Sequence, residues 1–149
     1  MPVRAGVLPT VGGQASAAQI PWGWLGYVQV TTAQGSITTA VDLTGLSVTV
    51  TVGASRRVRV SWDTHCSASG GGMSVAVKCM EGGTQLQMSE VQVVSDLYGL
   101  AVAGSVVLTP TPGAHTYKLQ GQGNGGTATL VASGTYPSWL LVEDIGPSS

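Results

Sequence analysis

The chain has 149 residues, six Lys and Arg against seven Asp and Glu, and a formal net charge of -1 at pH 7. So few cations exclude the basic patch that nucleic-acid binding needs, and no apolar run approaches the ~20 residues that cross a bilayer as a helix. The length is that of one domain with a real core, and a mean hydropathy of +0.28 with 9% charged residues predicts that part of the exterior is covered by other subunits.

Residues 1–22 show neither helical nor strand period and are rich in Gly, Ala and Pro. They make a poor secretion signal, because Pro9, Gly12 and Gly13 interrupt the apolar stretch before "ASA". We read them as an extended attachment arm lying along a partner or a neighbouring subunit. Its contact residues are then Arg4, Val7, Leu8, Ile20 and Trp22, with Trp24 beyond Gly23. Trp22 and Trp24 either latch the arm to the domain or anchor it in a partner.

From there the chain alternates with period two, the mark of half-buried antiparallel strands. Strands are predicted over residues 24–32, 46–52, 57–62 and 73–80. Residues 84–89 and 91–94 are out of phase with each other, which predicts a bulge or turn near Glu90. Further strands follow over 103–109, 115–121, 127–133 and 138–144. The one short helical candidate is "SDLYGLAV", residues 95–102. Trp62 and Trp139 lie within strands and are expected in the core. Arg56, Arg57 and Arg59 are expected on the solvent side of a strand start.

The links "SGGG", "EGGT", "TPTPGA" and "GNGG" have the chemistry of hairpins and loops. About nine strands with such links predict an all-β fold, an antiparallel two-sheet sandwich of jelly-roll type. The domain is expected over residues 23–147, with 148–149 as a short tail.

Only "SWDTHCSASGGGMSVAVKC", residues 61–79, gathers chemistry-bearing side chains. On a strand Asp63 and His65 share one face and Cys66 takes the other. A zinc site needs three or four convergent ligands, and only Asp63 and His65 converge. Adjacent residues on opposite faces cannot form a Cys–His catalytic pair. No G-x-S-x-G elbow or phosphate-binding loop is present. If residues 69–72 close a simple hairpin, Cys66 lies opposite residue 75 rather than Cys79, so two free thiols are expected. Asp63 and His65 are then expected at a loop end, available for contact. No metal, cofactor or catalytic residue is expected.

Three stretches, residues 36–60, 104–122 and 139–147, carry "DLTGL", "LTP" followed by "HTYKL", and "LVEDIGP". As a set they resemble small proteins encoded among the structural genes of tailed phages and prophages of actinobacteria, described as minor tail or virion proteins. The resemblance implies a non-enzymatic virion protein, assembled in the host cytoplasm, forming a homotrimer and contacting other virion proteins. Residues 61–72 match no shared pattern of that family. A capsid decoration or head fibre is the alternative location, and a carbohydrate-binding module contacting a host surface glycan is the alternative function.

Overall fold

The computed structural model describes residues 23–69, 72–94 and 97–148. The predicted arm contacts Arg4, Val7, Leu8, Ile20 and Trp22 lie outside them. Ten strands follow in order: β1 (Gly23–Val30), β2 (Gln34–Ile37), β3 (Val41–Val52), β4 (Arg56–Ser69), β5 (Met73–Glu81), β6 (Thr84–Val93), β7 (Leu97–Leu108), β8 (Gly113–Asn124), β9 (Thr127–Leu130) and β10 (Ser138–Pro147). Every strand pairing among the described residues is antiparallel. No helix among the described residues is long and apolar enough to cross a membrane.

The strands form two sheets. One runs β1-β10-β4-β9-β2 with β7 on the free flank of β4, and the other runs β3-β8-β5-β6. The fold is thus an antiparallel two-sheet sandwich of jelly-roll type, as the alternation predicts. β4 organises the larger sheet. β10 pairs with its first half, Arg56–Asp63, and β9 with its last residues, Cys66–Ser69, so the two lie end to end along one side. β7 runs along the other side from Val58 to Ala68.

Four expectations are corrected. The segment around residues 61–79 is not a hairpin, because β4 and β5 belong to different sheets. Among the described strands, only β5 and β6 are both consecutive and paired, through Gly82 and Gly83 with Glu81 opposite Thr84. Gly- and Pro-rich links turn the chain back but do not say into which sheet. Of the helical candidate at 95–102, the described residues 97–102 instead open β7, with Leu100, Ala101 and Val102 pairing to Cys66, His65 and Thr64. The irregularity of β6 falls between Gln85 and Gln87, not at Glu90.

The fourth correction concerns Arg56. It is buried, at 0% relative exposure, although its neighbours Arg57 and Arg59 face outward as expected. Its Nε donates to Asp144 Oδ2 at 2.7 Å, and the Gly146 amide donates to Asp144 Oδ1 at 2.9 Å. An arginine is tolerated there because the opposite charge and the hydrogen bonds offset its desolvation.

The inward phases of both sheets fill the core: Val58, Val60 and Trp62 from β4, Leu140 and Val142 from β10, Val75, Val77 and Cys79 from β5, and Tyr117 and Leu119 from β8. Each such aliphatic side chain contributes about 1.5–3 kcal/mol by leaving water. Gly104 is a spacing requirement. A Cβ there would stand 2.3 Å from Trp62 Cζ2 and 2.5 Å from Ser89 Oγ, so only glycine lets β7 pass over the indole.

Candidate functional site

Each sheet has an outer face, and the two are unlike. On the smaller sheet, the outward residues of β3, β8, β5 and β6 form a polar lattice. Lys118 Nζ and Gln120 Nε2 donate to the two oxygens of Asp42 at 2.8 and 2.7 Å. This pairing holds the Asp42 carboxyl below the usual carboxylate range. Lys78 donates to Gln122 and Gln122 to Asn124, each at 2.6 Å. Asn124 donates on to Ser74 and Glu90. The Thr49 and Thr116 hydroxyls meet at 2.8 Å across β3 and β8.

The outer face of β1-β10-β4-β7 is built otherwise. Three rows cross it: Gln29–Trp139–Asp63–Ala103, Tyr27–Leu141–Ser61–Ser105 and Trp24–Glu143–Arg59–Val107. Trp24 is 69% exposed, Val107 54% and Tyr27 41%. Trp24 stacks on Tyr27 with centroids 5.5 Å apart, and Tyr27 lies 6.5 Å from Trp139. Trp139 is therefore corrected from core to outer face. Ser138, Leu140 and Val142 take the inward phase of β10, and Trp139 and Leu141 the outward one. Both phases of "SWLLV" are apolar, so alternation alone could not choose between them.

Asp63 and His65 do share one face, with Cys66 on the other, but they stand mid-strand in β4 and half-buried rather than at a loop end. His65 sits where β9 has ended and β10 begins. Its carbonyl accepts from the Val131 amide at 2.7 Å, and the Tyr136 ring lies 5.4 Å from its own. Asp63 Oδ1 and His65 Nδ1 are buried without a hydrogen-bond partner among the described residues. Tyr136, Leu141 and the Ala–Ser row of β7 are parts of this face that sequence reasoning passed over. The register with β4 is what collects them, and it carries no local signal.

Other groups are placed away from this face. Cys66 and Cys79 are free thiols buried in the core. Burial pushes the first up to about 11 and the second to about 12, so both are protonated and unreactive at neutral pH. His115 closes one end of the sandwich over Tyr117. Its Nδ1 faces Glu81 Oε1 at 2.5 Å and its Nε2 faces the Thr111 carbonyl at 2.7 Å. Two acceptors around one ring favour the imidazolium, and the Glu81 contact above all raises its pKa. A groove of about 540 Å³, lined by residues 29–34 with Thr44 and Gly45, offers hydroxyls and amides but no charge. Among the described residues no three His, Cys, Asp or Glu side chains converge on one point.

No family model and no curated protein matches the chain. Solved structures do. A TNF protein, Eiger, from S. frugiperda superposes with a TM-score of 0.54 at 10% identity, over 87% of this chain and 96% of that one. Infectious bursal virus derived T=1 particles align at a TM-score of 0.43 and 15% identity, over 80% of this chain and 36% of that one. A carbohydrate-binding module of Cellvibrio mixtus lichenase 5A aligns at 0.38 and 13%, over 80% of this chain and 96% of that one. At these identities the Eiger likeness shows the β-sandwich fold alone, and the two weaker ones carry no further weight.

Proposed function

We propose that this chain is a non-enzymatic structural protein of a tailed-phage particle: a homo-oligomeric β-sandwich of minor-tail type, carried on the virion through residues 1–22. The observation that carries this reading is the outer face of β1-β10-β4-β7. Its exposed Trp24, Tyr27, Val107 and Tyr136, on a chain with 9% charged residues, suit burial against another protein. The resemblance of residues 36–60, 104–122 and 139–147 to phage minor tail proteins supplies the particle.

The test is a specific antibody on intact particles, viewed by electron microscopy. Label along the tail or at its tip is expected. Label over the head would make the same fold a capsid decoration, and absence from particles would overturn the virion reading.

One observation favours a second reading. Trp24, Tyr27 and Trp139 form an aromatic row on a sheet face, and exposed aromatics stack on sugar rings. In that reading the chain is a carbohydrate-binding module for a host surface glycan. Quenching of its Trp fluorescence by host cell-wall polysaccharide would support it; unchanged fluorescence would set it aside.

A further inference from the structure

We infer that the groove at the end of β1, walled by Gln29, Thr31, Thr32, Gln34, Thr44 and Gly45, binds a neutral, hydroxyl-rich ligand: a short segment of uncharged glycan. The inference rests on the glycan-binding reading above and names the groups that would recognise the sugar.

A break in regular pairing builds the groove. β3 pairs with β8 at Asp42 and resumes at Ser47, so residues 43–46 stand out of register. Gln34, the first residue of β2, ties that strand to this segment. Its Nε2 donates to the Asp42 carbonyl at 3.1 Å, and its Oε1 accepts from the Thr44 amide at 2.8 Å. On the other wall, Gly45 lies at φ +82°, and a Cβ there would stand 2.6 Å from Val30 Cγ1. The clamp and the missing side chain fix the two walls before any ligand arrives. The hollow measures about 540 Å³, within the ~300–1,000 Å³ of small-molecule sites.

The lining selects by chemistry. None of its side chains is ionisable. The charges nearby belong elsewhere. Asp42 is held by Lys118 and Gln120, and Asp63 is half-buried, two strands from Gln29 in the row Gln29–Trp139–Asp63. An anion would find no cation in this groove, and a cation no carboxylate. The groove offers hydrogen bonds of both senses instead. The hydroxyls of Thr31, Thr32 and Thr44 can each donate and accept. Gln29 Oε1 accepts from the Tyr27 hydroxyl at 2.7 Å, which leaves its Nε2 to donate. Sugar hydroxyls both donate and accept, so they match such a lining.

A ring flanks the groove. Trp139 is paired opposite Gln29 and is half-buried, so an indole stands beside the free amide. A pyranose bound at Gln29 has an apolar side to lay against it. Trp24 stands five residues back along β1, about 16 Å away, out of reach of a short ligand in the groove. The groove runs on past Val30 and Ser138, the last pair of β1 and β10, so covering the sheet face leaves its far part open.

The test uses the full chain and saturation-transfer NMR, followed by titration. The probes are laminaritriose, maltotriose, mannotriose and tri-N-acetylchitotriose, with trigalacturonate as the charged control. Wild type is expected to bind at least one neutral trisaccharide and not trigalacturonate. Ala33→Arg, on the exposed link that lines the groove, is expected to abolish binding with unchanged circular dichroism. Gln29→Ala should weaken it about fivefold and Trp139→Ala about tenfold. Trp139→Tyr keeps a ring and should restore most of the loss; it also stands in should Trp139→Ala fail to fold. Trp24→Ala is expected to bind as wild type. Binding of no neutral probe would sink the glycan reading and this inference together, and leave the virion reading untouched. Binding that survives Ala33→Arg and Gln29→Ala but is lost in Trp24→Ala would keep the glycan reading and overturn the groove alone. Preference for trigalacturonate would overturn the neutral ligand.

Discussion

The two outer faces of this sandwich come from the same alternation and the same strand chemistry, yet they are finished differently. On β3-β8-β5-β6 the outward positions, Met88 apart, are mostly Thr, Gln, Lys, Asp and Asn, tied to one another from Asp42 through Lys118 and from Lys78 through Asn124. On β1-β10-β4-β7 the exposed aromatic and aliphatic side chains Trp24, Tyr27 and Val107 stand beside the Arg59–Glu143 pair, with Asp63 Oδ1 and His65 Nδ1 left without partners among the described residues. Polar groups that bond to each other across a sheet are finished as a water-facing surface. Apolar groups left exposed on a sheet face are finished only when something covers them. The difference teaches where to look for function in a fold whose core says little about it.

The largest expected effect breaks both faces together. Arg56 and Asp144 join the start of β4 to β10 from inside. Arg56→Leu leaves a buried carboxylate without its charge partner and should cost about 3–5 kcal/mol in urea unfolding. A loss near zero would mean that Asp144 is served by solvent and that the larger sheet is not pinned there.

Next comes the layer beneath β7. Gly104→Ala pushes a methyl into Trp62 and Ser89 and should cost about 1–3 kcal/mol, with a changed near-ultraviolet Trp signal. An unchanged melt would show that β7 lies further from the indole than the geometry places it.

A smaller effect sharpens the polar side. The raised His115 pKa means that the folded state holds its proton more tightly than the unfolded chain, whose ordinary value is 6.5. The stabilisation is therefore whole below that value and is lost as pH rises through the folded-state pKa. The thermal midpoint should fall across that window in wild type, and less so in Glu81→Gln. Equal pH dependence in both would remove Glu81 as the cause. Smallest of all, Thr49→Val deletes a surface hydroxyl pair and should shift stability by no more than about 0.5 kcal/mol. Its oligomeric mass should not change; a change would move the contact to the wrong sheet.

Much of the fold was legible because strand period is local. The alternation of residues 57–62 and 73–80 sorts inward from outward side chains, and the structure keeps both assignments. It also separates Asp63 and His65 from Cys66. What was not legible depends on distant partners. Arg56 reads as a surface cation until Asp144, 88 residues away, is placed beside it. Trp139 reads as core because both phases of its strand are apolar. The link after Ser69 reads as a hairpin because a sheet change uses the same glycines as a turn. β2 is four residues long, too short to show a period. The candidate face was the least legible part, since it exists only once β1, β10, β4 and β7 are set in register.

The central claim is that one face of this sandwich is covered when the chain assembles and the other meets water. Hydroxyl-radical footprinting with mass spectrometry tests it most directly, comparing the wild type with Ala103→Arg, which sets an arginine on the first face. Tyr27, Val107 and Tyr136 mark one face, and Met88, 40% exposed on β6, marks the other. The account predicts that the first three oxidise more slowly in the wild type than in the variant, while Met88 oxidises equally in both. Equal oxidation of all four, or protection of Met88 alone, would contradict it.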